Sequence, residues 1–273
     1  MAGKPGSPGT SDGTREAGLT DLTGKPAPEP ARRSRPVKVA EAIKDYVVER
    51  GLRKGDRLPG ETELMAHFGM AKGTIREAMR ILEAQGLVVT RTGPGGGSFV
   101  HEVSQERARA LLGNYFYFRN LTLHDIYQVR RLLEPELAAS LAGRLSEDEL
   151  GRLEAVVATY AHPSVSVEEE RDQHVASLRF HRLLAEFAEN ELLGFMIGFM
   201  AQILTDLTVY RKLYEPPNVE LWAKGRAYQI QLVEALRMGD ADRARLVMSD
   251  HMATAEALME GQEAQVLKRF MAQ

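Results

Sequence analysis

Three cations are spaced four residues apart in the first third of this 273-residue chain. Lys72, Arg76 and Arg80 would form one stripe on a helix, with steps of roughly 6 Å, because each helical residue rises about 1.5 Å. Gly73 and Thr74 beside them are small enough to let the backbone approach a ligand closely. Cations at this spacing can neutralise phosphates, and Arg or Lys can also pair with guanine in the major groove. The pattern therefore indicates a DNA-binding face.

The stripe lies within a pattern of two short helices and a hairpin. Apolar residues recur at helical spacing in both helices, and a glycine ends each of them. On an isolated helix a basic stripe is often only a solvated face. Here a preceding helix from Val37, a turn and short strand over Gly51–Leu58, and a glycine-rich hairpin complete a winged helix-turn-helix. The two short helices are Glu61–Phe68 and Ala71–Gln85, and the hairpin strands are 87–91 and 98–100.

The order of these residues resembles the DNA-binding domain of the GntR family of bacterial transcription regulators. The resemblance rests on LPGETEL at 58–64, on GMAKGTIREAMRILEAQGLV at 69–88 and on the glycine-rich wing. It implies that the second helix and the wing contact a double-stranded DNA operator. The contacting residues would be Lys72, Gly73, Thr74, Arg76, Thr92 and Gly93, and the spacing of the stripe adds Arg80.

The chain departs from the usual family pattern in two places. It has Ala71-Lys72-Gly73-Thr74 where the second helix usually begins Ser-Arg-Thr-Thr, and it has Gly60 where relatives often have a helix-capping Ser. Lys lacks the planar guanidinium fork that pairs with guanine in two hydrogen bonds. The base preference of the family therefore does not transfer to this chain.

The charge distribution agrees with a DNA-binding first half. Residues 31–101 hold 13 Lys and Arg against 8 Asp and Glu, whereas residues 102–273 hold 19 against 26. The chain contains no Cys, which excludes disulfides and thiolate chemistry. We find no run of roughly 20 apolar residues that would span a membrane and no signal-peptide pattern. A cytoplasmic protein without a membrane partner is expected.

The rest of the chain has few helix breakers and no strand signal. Roughly six helices are predicted, including Asp125–Leu145 and Glu191–Tyr214, and capping boxes at Ser146 and Ser166 open two others. The expected fold is mainly α, with an N-terminal winged helix-turn-helix followed by an all-α bundle. The predicted divisions are a disordered tail at 1–34, the winged domain at 35–103 and the helical domain at 104–273.

This helical part also resembles a known domain, the helical FCD effector domain of the FadR-type branch of the GntR family. The resemblance rests on DIYQVRRLLE at 125–134, FHRLL at 180–184 and GDADRA at 239–244. In many relatives this bundle binds a small carboxylate, often together with a divalent metal. The resemblance further implies a homodimer on an inverted-repeat operator.

Arg130 is the first candidate for binding an effector. It lies on the apolar face of the predicted helix 125–145, where a buried guanidinium needs an acidic partner. Either Glu134 or the carboxylate of a ligand could supply that charge. His174 stands about 10.5 Å from His181 by helix rise, which is too far for the two imidazoles to share one ion.

The metal positions implied by the resemblance are only half retained. His181 and His251 match two of them, but Ser177 stands where the family has Asp and Gln229 where it has His. A neutral hydroxyl and a neutral amide are poor ligands for a divalent ion. We therefore expect no metal and no cofactor, and predict that these four residues and Arg130 bind an organic effector. The alternative is that these side chains merely satisfy one another or hold water.

No enzyme is expected, because the chain lacks the common nucleophile, phosphate-loop and metalloprotease motifs. The prediction is a ligand-responsive regulator, most simply a repressor. One alternative keeps this class but places an acyl chain or acyl-CoA against the apolar segment 192–214. A second alternative is a sequence-independent architectural DNA-binding or helical interaction protein. A footprint separates the last from a regulator, which protects one short inverted repeat.

Overall fold

The computed structural model describes residues 34–119 and 121–271, without the side chains of Tyr117 and of residues 266–271. The predicted tail, apart from Ser34, lies outside the described residues. Internal contacts divide the chain into two compact units, one ending at Val103 and the other beginning at Ser104.

The first unit is the predicted winged helix-turn-helix. Its three helices share one core, in which Ile43, Leu64, Ile75 and Leu82 are almost completely buried. The two strands pair antiparallel, with Val88 opposite Val100. The elements are α1 (Arg35–Glu49), α2 (Glu61–Phe68), α3 (Lys72–Gln85), β1 (Val88–Arg91) and β2 (Gly97–Val100).

Both short helices end as their glycines predict. Gly69 and Gly86 adopt left-handed φ values of 62° and 78°, which residues with a Cβ reach only at a cost. Gly60 offers no capping side chain to α2, and the Glu63 carboxylate instead accepts a hydrogen bond from the Gly60 N–H at 2.7 Å. The strand predicted over 51–58 is wrong: it reduces to an isolated bridge between Arg57 and Phe99, because the segment turns at Gly55 and then reaches Pro59, which has no N–H for a ladder.

The second unit is an α-helical bundle, as predicted, but its described residues form seven helices. The additional helix, α4, has an exposed Leu111 and Tyr115 and so lacks the clean apolar stripe that would have identified it from sequence. The elements are α4 (Gln105–Tyr117), α5 (Leu123–Leu141), α6 (Glu147–Ala158), α7 (Val167–Glu186), α8 (Glu191–Tyr210), α9 (Val219–Met238) and α10 (Ala241–Met271).

Two predicted helix ends are wrong. The helix expected over 125–145 is α5, which Thr122 caps through the Asp125 N–H and which ends at Leu141. The helix expected to reach Tyr214 is α8, which ends at Tyr210, where Lys212 takes a positive φ of 51°. The capping residues Ser146 and Ser166 do begin α6 and α7. The capping boxes therefore predict these two helix starts correctly, whereas the apolar pattern misplaces the two helix ends.

The C-terminal ends of α5 and α9 are joined through their backbones. Gly143, just after α5, donates its N–H to the carbonyl of Leu236 at 2.8 Å. Gly143 and Gly239 both have a φ of 72°, and a Cβ on Gly143 would lie 3.2 Å from the Gly239 Cα. Two glycines are therefore needed for this close approach.

Among the described residues, α8 alone is long and apolar enough to cross a membrane by length and composition. This corrects the sequence-based statement that no such run exists. The observation is weak evidence for a membrane span, because core helices pass the same test, and 44% of the apolar window is buried inside the bundle. Ile197, Ala201 and Leu204 of α8 belong to the hydrophobic core.

Candidate functional site

The outer face of α3 carries the predicted basic stripe. Lys72, Arg76 and Arg80 are all exposed, while Ile75 and Ala78 of the same helix are completely buried. The helix therefore packs with its apolar side against α1 and presents the cations outward. Gly73 is exposed too, and a Cβ there would meet nothing within 4 Å, so the surface beside the cations is open.

The three cations differ in their local partners. Lys72 Nζ lies 3.2 Å from the Glu61 carboxylate, and Arg80 Nη1 lies 3.3 Å from that of Glu77. Arg76 forms no ion pair with any residue that the structure describes. Exposed ion pairs contribute little, so Lys72 and Arg80 can exchange their carboxylates for phosphates. Arg76 has no such bond to break.

The wing presents Thr92 and Gly93 at its exposed tip. Gly93 has a φ of 94°, and its carbonyl accepts a hydrogen bond from the Gly96 N–H at 2.8 Å. This closes a tight turn between β1 and β2. The predicted wing residues thus lie on a compact loop whose residues between the strands, apart from Thr92 and Pro94, are glycines.

Arg57 supports the wing and was missed from the sequence. Its Nη2 donates to the carbonyl of Gly96 at 2.7 Å. A Cβ on Gly97, which has a φ of 146°, would lie 2.9 Å from Arg57 Nε, so the guanidinium occupies the space a side chain would need. The residues are 39 positions apart, and no local pattern signals such a contact.

The second unit encloses a cavity of about 50 Å³ among α5, α7, α9 and α10. Four of the five predicted effector-binding residues line it, namely Arg130, Ser177, His181 and His251. Gln229 is completely buried beside it and does not line the cavity. Trp222, Met252 and Met259 supply apolar walls. On this measure a single water needs roughly 10–15 Å³, so the cavity can hold a small organic molecule.

A buried chain of polar side chains runs along one wall. Arg130 Nε donates to one oxygen of Glu134, and His181 Nδ1 lies 2.6 Å from the other. His181 Nε2 lies 3.2 Å from His251 Nε2. Because Glu134 accepts from His181 Nδ1–H, a neutral His181 must accept at Nε2 from His251. Each of these side chains is at most 4% exposed.

The charge states of these hydrogen-bonded side chains follow from burial and pairing. Burial alone would raise the pKa of Glu134, but the charge of Arg130 and the hydrogen bonds from His181 and Arg130 outweigh it and lower that pKa to about 2. Burial lowers the pKa of His251, and the nearby His181 and Arg130 lower it further. Burial likewise lowers the pKa of His181 despite the Glu134 carboxylate. The resting arrangement is an Arg–Glu ion pair beside two neutral imidazoles.

Ser177 and Gln229 belong to a second hydrogen-bond group. The hydroxyl of Tyr160 donates to Gln229 Oε1. Gln229 Nε2 in turn donates to the carbonyl and the hydroxyl of Ser177, both at 3.2 Å. Both the oxygen and the nitrogen of the Gln229 amide are therefore hydrogen-bonded. Tyr160 was not anticipated from the sequence, because it lies 69 residues from its partner.

These residues do not fit a divalent metal. The two Nε2 atoms of His181 and His251 are 3.2 Å apart, close to the roughly 3.3 Å between two ligands of one tetrahedral ion. The remaining donors, however, are the hydroxyl of Ser177 and an amide already bound to Tyr160. Glu134 is held by Arg130 and His181, and Glu170 in the cavity wall is held by Ser164 and Asn218, so neither carboxylate is free to offset the charge of an ion.

Elsewhere in the described part of the chain, one surface group could hold a metal ion. It consists of His124, Glu256 and Glu260, whose ligand atoms lie within 4.8 Å of one another. Arg131 already pairs with Glu256 at 3.0 Å, and His124 Nδ1 lies 3.0 and 3.4 Å from the carboxylates of Glu256 and Glu260. Contacts within the chain account for the group.

Two family models match this chain. The one for bacterial regulatory proteins of the gntR family matches residues 37–100, and the one for the FCD domain matches residues 125–254. The chain is 24% identical over 216 residues to the HTH-type transcriptional regulator LutR of Bacillus subtilis, covering 77% of this chain and 94% of that protein. It is 25% identical over 236 residues to the putative L-lactate dehydrogenase operon regulatory protein of Escherichia coli, covering 81% and 84%.

A solved structure shares the fold. Streptococcus agalactiae GntR aligns with a TM-score of 0.54 and 21% identity, covering 81% of this chain and 99% of that one. The two matched domains, a winged helix-turn-helix with a basic outer face and a helical bundle around a polar cavity, are those of a DNA-binding transcriptional regulator. The chain is a regulator of the GntR type with an FCD domain. Its assignment to the FadR-type branch stays a prediction.

Proposed function

We propose that this protein is a homodimeric repressor that binds an inverted-repeat operator through α3 and the wing, and that a small organic acid in the FCD cavity controls it. The observation that carries the DNA-binding part is the exposed, unpaired Arg76 in the middle of the basic stripe. Lys72, Gly73, Thr74 and Arg80 flank it on α3, and Thr92 and Gly93 would reach the adjacent groove.

A footprint on the DNA upstream of the gene tests the proposal. One protected region with two half-sites roughly 10 base pairs apart, or a multiple of that distance, is expected of a dimer with two reading heads. Addition of the effector should release it. Protection without sequence preference would instead favour an architectural DNA-binding protein.

We expect the helical unit to carry the dimer contacts. Separation near Ser104 should leave residues 105–273 dimeric and residues 1–103 monomeric and weak on DNA. A single winged unit makes few phosphate contacts, and long helices can bury a symmetric interface. Analytical ultracentrifugation of both fragments is the measurement, and a monomeric 105–273 fragment would contradict the expectation.

We propose an acid because Arg130 lies in the cavity wall and one nitrogen of its guanidinium is not hydrogen-bonded. Arg130 Nε is bound by Glu134, whereas its Nη2 has no partner among the described residues. An unsatisfied buried donor is costly, and a carboxylate would satisfy it. The relative named for an L-lactate dehydrogenase operon supports regulation of a metabolic operon. The acyl-chain alternative is disfavoured, because no residue of α8 lines the cavity.

The pocket is proposed to work without metal. Wild-type protein should hold no zinc or nickel at sub-micromolar affinity, because only two good ligand atoms face each other. The double variant Ser177→Asp, Gln229→His should gain zinc binding, since it adds a carboxylate and an imidazole beside the preset His181 and His251 pair. Isothermal titration of both proteins checks this. One equivalent bound tightly by the wild type, and lost in His181→Ala, would overturn it.

Arg57 is proposed to position the wing for operator binding. Arg57→Ala should weaken operator binding roughly tenfold, or about 1.4 kcal/mol, because the Gly96 carbonyl loses a charge-assisted hydrogen bond. Arg53→Ala is the matched control, since Arg53 is an exposed arginine of the same turn. Equal losses in the two variants would show a general charge effect instead. The comparison is made by fluorescence anisotropy on operator DNA.

A further inference from the structure

Two residues that line the same cavity each hold an unsatisfied side-chain atom, and the two atoms are of opposite character. Arg130 is 1% exposed and its Nη2 has no hydrogen-bond partner; Gln173 is 8% exposed and its Oε1 has none. Both residues line the cavity. Buried polar atoms are nearly always paired, and each exception needs an explanation. One ligand that accepts from Arg130 and donates to Gln173 would satisfy both atoms.

The neighbours of Gln173 determine the orientation of its amide. Its Nε2 donates to the carbonyl of His162 at 3.0 Å and lies 3.4 Å from a carboxylate oxygen of Glu169. Both neighbours only accept hydrogen bonds. Turning the amide over would place Oε1 against two acceptors. The free atom of Gln173 is therefore the oxygen, which accepts.

Three other polar groups of the cavity are already engaged. Glu170 accepts from the Ser164 hydroxyl and from the Asn218 N–H. Ser177 accepts from Gln229 at 3.2 Å, and His181 is bound on both ring nitrogens. Besides the imidazole of His174, which burial keeps neutral by lowering its pKa to about 4, the cavity leaves a cationic donor at Arg130 and a neutral acceptor at Gln173 for a ligand, between apolar walls such as Trp222.

We propose that the cavity binds a short carboxylic acid that also bears a hydroxyl or amino group. The carboxylate accepts from Arg130 Nη2, and the second group donates to Gln173 Oε1. This inference rests on the proposed function of the cavity as an effector site and adds the second contact. It makes Gln173 the residue that discriminates between acids, because a site built to hydrogen-bond a donor rejects the analogue that lacks it.

The test uses four-carbon acids of nearly equal size. Butyrate, the 2-, 3- and 4-hydroxybutyrates and the corresponding aminobutyrates are titrated calorimetrically into the full-length protein at millimolar concentrations. At least one substituted acid should bind tenfold or more tightly than butyrate. The hydroxy and amino series identify which donor Gln173 accepts. No binding by any probe, or butyrate binding as tightly as the best substituted acid, would overturn the inference.

Variants assign the two contacts. Gln173→Met keeps the side-chain length and should equalise butyrate and the best substituted acid, chiefly by weakening the latter. Arg130→Lys leaves a charge for Glu134 but removes Nη2, and should weaken all the acids. Thermal unfolding of each variant shows that it is folded. Retained discrimination in Gln173→Met would refute the role of that residue.

Operator binding without ligand is measured in parallel. Butyrate binding without a donor preference would leave the effector site intact and refute only the second contact. Failure to bind operator DNA would refute the proposed function, whatever the cavity binds. The two failures are therefore distinguishable.

Discussion

Arg76→Ala is expected to abolish specific operator binding. A bidentate Arg–guanine pair contributes roughly 1–3 kcal/mol, and a dimer would lose two of them, so the affinity should fall by about 30-fold to more than 10⁴-fold. Arg76 is exposed and makes no ion pair among the described residues. Nothing in the fold should therefore change, and the loss should appear on operator DNA in a gel-shift titration.

Arg80→Ala is the matched control for this prediction. Arg80 lies one turn further along the same face and pairs with Glu77, so it suits a phosphate contact. Its loss should weaken binding to operator and random DNA alike and reduce the salt dependence by about one phosphate per half-site. If Arg76→Ala bound the operator with wild-type affinity, the assignment of the recognition face to α3 would be wrong.

Glu134→Ala should be the most destabilising single substitution in the cavity wall. It would leave the guanidinium of Arg130 buried without its counter-charge, which typically costs about 3–5 kcal/mol. His181 would lose its partner at Nδ1 as well. Urea unfolding followed by circular dichroism measures the change, read from the transition of the helical unit because two units need not unfold together.

Glu136→Ala tests whether the burial of Glu134 is the cause of the large expected loss of stability. Glu136 is on the same helix and pairs with Arg245, but both side chains are exposed, so its removal should cost less than about 1 kcal/mol. Acid titration gives a second check. The pKa of Glu134 falls from 4.5 to about 2 on folding. Its contribution is therefore complete above pH 4.5 and lost as the pH falls to 2. An unchanged acid profile in Glu134→Gln would contradict this.

Local sequence patterns predict the helix starts and ends that depend on contacts between residues close in sequence. The glycines at 69 and 86 end helices whatever surrounds them, and the Ser146 and Ser166 caps begin helices through contacts within three residues. The winged unit is built almost entirely from such signals. Its fold and its outward cations could therefore be predicted without a structure.

Contacts between distant residues could not be predicted in this way. Helical spacing from Ile126 predicts an inward Val129, yet Val129 is 37% exposed, because the buried face of α5 runs through Ile126, Arg130 and Leu137 instead. In the cavity, the sequence identified residue types but not their partners. Ser177 and Gln229 hydrogen-bond each other, while the free atoms belong to Arg130 and Gln173. Which polar group is left without a hydrogen-bond partner depends on how the separate helices pack.

The backbone contact between Gly143 and Gly239 fixes the distance between the C-terminal ends of α5 and α9. A ligand that displaced Arg130 would therefore turn α5 about that contact. Arg130 lies 13 residues from Gly143 and Leu123 lies 20, or roughly 20 and 30 Å along a helix. A shift at Arg130 would therefore be about one and a half times larger at Leu123, the end of α5 from which the chain leads back toward the winged unit.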